Sequence, residues 1–335
     1  MKKRLRTSVW ARSLERSFAA MTRMATASGT RALIRTLKPV VGNRTPPPGA
    51  GAWISGVVVG TSGSRQFRLY RPPDVKLGER LPLMVMLHGC GQDANGFAAS
   101  TRMNRIAMRE RFLVLYPQQN KLANPQACWN WFDTDSGRAD GEAALIMKAI
   151  DQVCLLQPVD RTRVAVAGLS AGASMAALLV TRHPGRFRAA VMHSGVPPGS
   201  AHSSLTALAA MKGRGATLQR SATPPTMGAD WPPLLVIHGD ADTVVSPLNG
   251  QAAAQIWADA AGAIATTARS VQRGKRYRMS VTDFKRKGRI AATLVAVDNL
   301  AHAWSGGAAS TPFSDGRGPD ASRMAWAFAA RQFRY

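Results

Sequence analysis

The most constraining feature of the chain is a five-residue pattern, Gly168-Leu169-Ser170-Ala171-Gly172, set between the apolar run Val164-Ala165-Val166-Ala167 and an Ala/Leu/Met-rich stretch. A strand that ends on Gly-x-Ser-x-Gly and turns directly into a helix carries its serine on a sharp bend. The flanking glycines remove side chains that would clash there, so the Ser170 hydroxyl is expected to stand exposed on a strained tip. The dipole of the following helix favours negative charge developing at that point. The alternative reading is a plain Gly/Ser turn. A lone serine hydroxyl is a poor nucleophile, so the pattern requires a base and an orienting carboxylate further along.

Both follow in the order Ser, Asp, His. Residues 233–238 read as a buried strand leading into the polar loop Asp240-Ala241-Asp242, and Asp242 is the candidate carboxylate. Asp240 is its rival, with loop-shaping through backbone amides as its alternative role. Residues 294–297 form another strand, and the loop after it places His302 ahead of a terminal helix as the candidate base. His88 and His238 precede glycines at strand ends and read as turn-shaping residues. His183, His193 and His202 lie too near Ser170 in sequence for that order. The run Leu83–Leu87 feeds His88-Gly89-Cys90-Gly91-Gln92, a loop in which the Cys90 N–H, together with that of Ala171, is expected to form an oxyanion hole. The Cys90 thiol has no base beside it in sequence and is incidental to that role.

The rest of the chain fits this centre. After Thr45-Pro46-Pro47-Pro48-Gly49, read as a linker, two strand-like runs cover 53–59 and 67–70. Apolar runs at 82–87, 112–116, 163–167, 187–192, 233–238 and 291–297 alternate with helical patterns at 140–156, 171–182, 248–262 and 319–332. That alternation predicts an α/β fold with a mostly parallel sheet covered by helices. Residues 196–232, rich in Pro, Gly, Ser and Thr around a short helical patch at 205–211, read as an insertion, a candidate lid. The expected organisation is a basic tail and linker at 1–49 and a catalytic domain at 50–335. The chain shows no internal repeat, which excludes solenoid and propeller folds.

Charge raises a different class of reading. Lys and Arg total 44 against 19 Asp and Glu, a formal charge of +25. Ten of the cations fall in residues 1–40 and eight in 271–290. Such an excess favours anionic partners, and a nucleic-acid or membrane-surface binding protein is the alternative from another class, although no nucleic-acid module is recognisable. Residues 271–290 read most simply as the solvated face of a strand pair. Trp10, Leu14, Phe18 and Met21 recur at helical spacing, so 8–24 is a candidate amphipathic helix for a surface, with a poorly ordered tail as the plain alternative. Charged residues interrupt what a secretion signal would need, and the reading is no Sec signal and no transmembrane helix. Three cysteines are too few for a disulfide scaffold.

Taken together, the Cys90 loop, Cys128-Trp129-Asn130-Trp131-Phe132, Gly168 to Gly172, the Asp242 loop and His302-Ala303-Trp304 with Gly306-Gly307 resemble the polyhydroxybutyrate (PHB) depolymerase-like esterases, over roughly residues 50–335. The resemblance implies an α/β-hydrolase fold and carboxylic ester hydrolysis through an acyl-enzyme. It assigns the nucleophile to Ser170, the acid to Asp242, the base to His302 and an oxyanion contact to Cys90, with neither metal nor organic cofactor. Poly- or oligo-3-hydroxybutyrate is the leading substrate, with feruloyl or acetylxylan esters as the alternative. A disulfide between Cys90 and Cys128 is a further implication of these loops. Trp129, Trp131 and Trp304 are weaker candidates for an acyl pocket, with a core role as the alternative for each. The expected location is cytoplasmic, with the basic tail on a polyester granule surface, and a secreted enzyme is the alternative.

Overall fold

The computed structural model describes residues 50–214 and 230–334. The proposed tail helix and most of the Pro/Gly-rich part of the 196–232 insertion lie outside the described residues.

The strands and helices follow in the order β1 (Ala52–Gly60), β2 (Gly63–Arg71), β3 (Leu81–Leu87), α1 (Ala94–Thr101), α2 (Met103–Glu110), β4 (Leu113–Gln118), α3 (Arg138–Leu156), β5 (Val159–Leu169), α4 (Ala171–Arg182), β6 (Ala189–His193), α5 (Ser204–Met211), β7 (Leu234–Gly239), α6 (Leu248–Ala261), β8 (Ile264–Ala265), β9 (Arg269–Val271), β10 (Met279–Arg286), β11 (Arg289–Val297), β12 (Trp304–Ser305), β13 (Ser314–Asp315) and α7 (Ala321–Gln332). The main sheet has the order β1-β2-β4-β3-β5-β6-β7-β11-β10-β8, with β9 also paired to β10. From β4 through β3, β5, β6 and β7 to β11 every pairing is parallel, and the antiparallel strands sit at the two ends.

The central strands are apolar without a break because both their faces are covered. All seven residues of β3 are buried. Side chains alternate between the two faces. Leu83, Val85, Leu87, Val164 and Val166 enter one core with α3, α4 and α6. Met84, Met86, Ala165 and Ala167 enter the other with α1, α2 and α7. The two halves of each strand's sequence thus hold opposite layers to one sheet.

The helices start and stop where local chemistry allows. Asp320 caps α7 by accepting from the Arg323 N–H at 3.0 Å, so the helix begins two residues after the 319 start that the pattern predicts, because Pro319 precedes the cap. Ser203 and Thr206 form a reciprocal capping box at the start of α5. Helices α1 and α2 are additions to the predicted elements; Asp93 caps the first, accepting from the Gly96 N–H at 2.7 Å. The basic 271–290 segment contributes β10 and its turn to β11 at the sheet edge. Its cations are partly tied down: Arg276 donates to Gly318 O and Arg286 to Ala261 O at 3.0 Å. Among the described residues, no helix is long and apolar enough to cross a membrane.

Because β3 is enclosed on both faces, Leu83→Ala should cost about 2–5 kcal/mol in urea unfolding. A loss under about 1 kcal/mol would mean that the central layer collapses around the gap.

Candidate active site

The serine sits where β5 breaks into α4. Ser170 has φ 56 and ψ −122, a left-handed conformation unusual for a residue with a side chain. The bend is pinned from beneath: the Ser170 N–H donates to His193 O at 2.9 Å. Glycine is required on both sides. A methyl on Gly172 would collide with the carbonyls of Leu87 and His88, and one on Gly168 with the backbone of Gly172. These collisions measure how closely the start of α4 approaches the end of β3.

That approach also brings the loop that carries Cys90 toward the serine. A methyl placed on Gly89 would lie 3.6 Å from Ser170 Cβ, so the loop after β3 passes alongside the elbow. Around it, Gly89 N–H donates to Gln92 Oε1 at 2.9 Å, Gln92 N–H to Gly89 O at 3.3 Å and Gly91 N–H to Gln126 O at 2.8 Å. Among the described residues neither the Cys90 nor the Ala171 N–H has a protein acceptor. Cys90 is joined to Cys128 by a disulfide, which ties the loop to the Trp129 segment.

Asp242 and His302 meet above the ends of β7 and β11, which are neighbours in the sheet. His302 Nδ1 donates to Asp242 Oδ2 at 2.8 Å. The other oxygen, Oδ1, accepts from the N–H groups of Val244 and Val245 at 3.0 and 2.9 Å. Burial alone would raise the carboxyl pKa; electrostatic attraction to His302 and hydrogen bonds from His238 and His302 outweigh it, and the group is held well below the usual carboxylate range. Asp240 plays a different part, since its Oδ1 accepts from the Asn299 N–H at 2.6 Å and shapes the loop leading to His302.

Two histidines that do not fit the Ser, Asp, His order are structural members of this region. His193, at the end of β6, takes the Ser170 N–H on its carbonyl and, through Nε2, the Ser305 N–H at 3.1 Å from 112 residues away. One residue therefore links the serine elbow to the His302 loop. His88 accepts the Gln119 N–H on Nε2 at 3.0 Å, while its Nδ1–H donates to Gly89 O at 2.8 Å. An imidazole nitrogen that accepts from an amide must be unprotonated. Burial enforces that state, pushing His88 down to about 4; for His193, burial and the nearby His238 and His302 rings push it down to about 3.

Beneath the disulfide lies a polar cluster that no sequence pattern signals. Glu142, on α3, accepts from Gln119 Nε2 at 2.6 Å, Asn130 N–H at 2.9 Å and Asn130 Nδ2 at 2.7 Å. Arg65 faces it at 3.8 Å, both side chains almost fully enclosed, with the guanidinium 5.7 Å from the Trp129 ring. The three tryptophans considered for an acyl pocket are packed inward. Trp129 is fully buried and donates to His88 O at 3.0 Å. Trp304 is fully buried, stacks on His193 and donates to Ser322 Oγ at 3.1 Å. Trp131 is 6% exposed and sets its edge against Phe132. Their indoles build the walls behind the loops. Among the described residues, no cluster of His, Cys, Asp and Glu forms a metal site.

The buried histidines and the buried ion pair both bear on stability. As pH falls from about 6.5 to 4, the unfolded chain binds protons at His88 and His193 that the folded chain refuses, so stability falls with falling pH, at its steepest by roughly 2.7 kcal/mol per unit. Urea midpoints at pH 7.5, 6.0 and 5.0 should decline in that order, and equal midpoints would refute the assignment. Glu142→Ala leaves Arg65 enclosed without its counter-charge and should cost about 3–5 kcal/mol in the same assay at pH 7.5.

Comparison with known proteins places this arrangement in a family. A family model described as Esterase PHB depolymerase matches residues 65–280. Poly(3-hydroxyalkanoate) depolymerase C of Paucimonas lemoignei is 34% identical over 176 residues, 50% of this chain and 42% of that protein. The chain thus spans less than half the length of that relative. Feruloyl esterase B of Neurospora crassa is 25% identical over 214 residues, covering 60% of this chain and 72% of its own. Among solved structures, acetyl xylan esterase from Aspergillus awamori aligns with a TM-score of 0.60 at 18% identity, over 83% of this chain and 100% of that one. An S-formylglutathione hydrolase from Agrobacterium tumefaciens gives 0.53 at 16% identity, over 86% and 95%. These likenesses identify the sheet and its helices as the α/β-hydrolase fold, and with the family match over most of its folded part, the chain belongs to the PHB depolymerase family of esterases.

Proposed function

We propose that the chain is a serine esterase in which Ser170 attacks the ester carbonyl, His302 takes the serine proton, and Asp242 orients and stabilises the resulting imidazolium. The observation that carries this reading is the 2.8 Å hydrogen bond from His302 Nδ1 to a buried, ionised Asp242, because it fixes the tautomer that leaves Nε2 free to accept a proton. The amides of Cys90 and Ala171 receive the oxyanion of the tetrahedral intermediate. His302 then protonates the departing alcohol, and a water activated by the same histidine releases the acid from Ser170. Every proton passes through His302: from Ser170 to the departing alcohol in acylation, and from the water back to Ser170 in deacylation.

Esters of 3-hydroxybutyrate, as oligomers or polymer, are the leading substrate class; the 34% identity to a poly(3-hydroxyalkanoate) depolymerase supports it. Feruloyl or acetylxylan esters form a second reading, favoured by the larger share of the feruloyl esterase that the chain spans. The Cys90–Cys128 disulfide supports an oxidising compartment, and so a secreted enzyme, over the cytoplasmic location expected from the sequence.

Hydrolysis of p-nitrophenyl butyrate, 3-hydroxybutyrate trimer and acetylated xylan provides the test. Ser170→Ala should abolish all measurable turnover. Asp242→Asn should lower kcat by about 10⁴-fold, the loss typical of a base held in the wrong tautomer. Asp240→Asn should retain most activity, since that side chain only shapes the loop. Preference for the trimer over acetylated xylan supports the first substrate class, the reverse order the second, and turnover that survives Ser170→Ala would refute the mechanism.

A further inference from the structure

A cavity of about 870 Å³ opens at the end of the sheet opposite Ser170. It lies under the N-terminal ends of β5, β6, β7 and β11, four consecutive neighbours in the sheet. Arg161 stands near the start of β5, Arg186 and Arg188 precede β6, Arg289 opens β11, and Arg331 and Arg334 come from the end of α7. The nine residues of strand between Arg161 and Ser170 put the two ends about 30 Å apart.

Three properties separate this cavity from an ordinary solvated face. Six of its seventeen lining residues are arginine and none is lysine, whereas Lys and Arg together make up 44 of 335 in the chain. The sole acid in the lining is Asp230. Three of the arginines are also oriented without being neutralised. Arg161 donates to Cys154 O, Arg188 to Thr162 O and Arg331 to Ala327 O, each at 3.3 Å, and a carbonyl fixes a guanidinium while leaving its charge intact. Within the lining only Arg186 has an ion-pair partner among the described residues, Asp151.

The size falls within the range of small-molecule sites, about 300–1,000 Å³, and is too small for a duplex. Planar guanidinium forks match phosphate oxygens in pairs, and several converging forks with one opposing carboxylate call for a ligand of several negative charges. One wall is apolar: half-buried Trp231 packs on Trp257 with ring centroids 4.8 Å apart, and Trp257 Nε1 donates to Pro232 O at 3.0 Å. We infer that this cavity is a second binding site, remote from Ser170, for a small molecule carrying two or more linked phosphates.

Calorimetric titration of the full chain at about 150 mM salt tests this, with pyrophosphate, tripolyphosphate and ADP as probes. One saturable site per chain for tripolyphosphate is expected. Arg188→Glu/Arg289→Glu should weaken it at least 30-fold. Arg71→Glu/Arg105→Glu, which changes net charge equally at exposed positions elsewhere, should alter it less than threefold. Thermal melting and p-nitrophenyl butyrate turnover of both double variants should match the unaltered chain; melting reports folding even if the esterase reading fails. ADP binding tenfold tighter than pyrophosphate would assign the Trp231 wall to the organic part of a nucleotide, and equal affinity would assign the site to phosphate alone. The proposal is overturned if binding is absent, if both double variants lose it equally, or if short duplex DNA binds more tightly than tripolyphosphate.

Discussion

The close approach of α4 to the end of β3 is the contact on which the rest of the candidate site depends. Gly172 lies against the carbonyls of Leu87 and His88 with no room for a side chain. That single approach sets the height of Ser170, the position of the Ala171 N–H and the path of the Cys90 loop together. A pair of donors aimed at a developing oxyanion is useful only when it needs no rearrangement during reaction. Here the proposed donors are backbone amides held by a packed strand and the first turn of a helix. Strain at Ser170 persists because neighbouring backbone, including the bond from Ser170 N–H to His193 O, leaves the chain no other course.

Burial has opposite consequences for the ionisable groups around this contact, and the partners decide which. Asp242 is enclosed yet ionised because two amide donors and His302 surround its oxygens. His88 and His193 are enclosed and neutral because burial disfavours the charged ring, and each then uses one ring nitrogen to accept from an amide. A second bond from each residue reaches a loop of the site: the His88 ring donates to Gly89 O, and the His193 backbone carbonyl accepts from the Ser170 N–H. Neutral imidazole, with one donor and one acceptor, is suited to joining backbone segments of opposite need. The same residue type thus serves as a fixed strut at two positions and as the proposed proton carrier at His302.

What is legible in the sequence follows from this division of labour. Ser170, Asp242 and His302 stand out because the proposed chemistry demands particular side chains in a particular order, each at the end of a recognisable apolar strand. Helix α4 and the central strands are legible from apolar runs bounded by turn residues. The struts are not, because His193 follows Ser170 too closely to suggest a role and its partner Ser305 lies 112 residues away. Arg65 and Glu142 sit on β2 and α3 with no pattern to join them until the sheet does. Trp129 and Trp304 illustrate the converse, since loop position suggests a pocket while the indole N–H of each is engaged with a buried oxygen. Helix α1 lacks a strong apolar period, and a side-chain cap at Asp93 rather than hydrophobic pattern marks where it begins, while α2 buries Met103, Ile106 and Ala107 on one face but is only eight residues long.

The parallel run from β4 to β11 also explains how one chain can carry two unlike surfaces. With all six strands pointing the same way, the loops that hold Ser170, Asp242 and His302 gather at one end and the turns that enter the strands gather at the other. Changes at the entering turns do not have to preserve the elbow, since the sheet between them is a rigid, fully packed layer. Positive charge can therefore collect at the entering ends, as Arg161, Arg188 and Arg289 do, at little cost to the chemistry at the other end. Screening strengthens the separation: at physiological salt, charges farther apart than about 8 Å interact weakly across solvent. The arginines at the base therefore leave Asp242 and His302 governed by their own hydrogen bonds, so the large net charge of the chain and the proposed acid-base work can coexist.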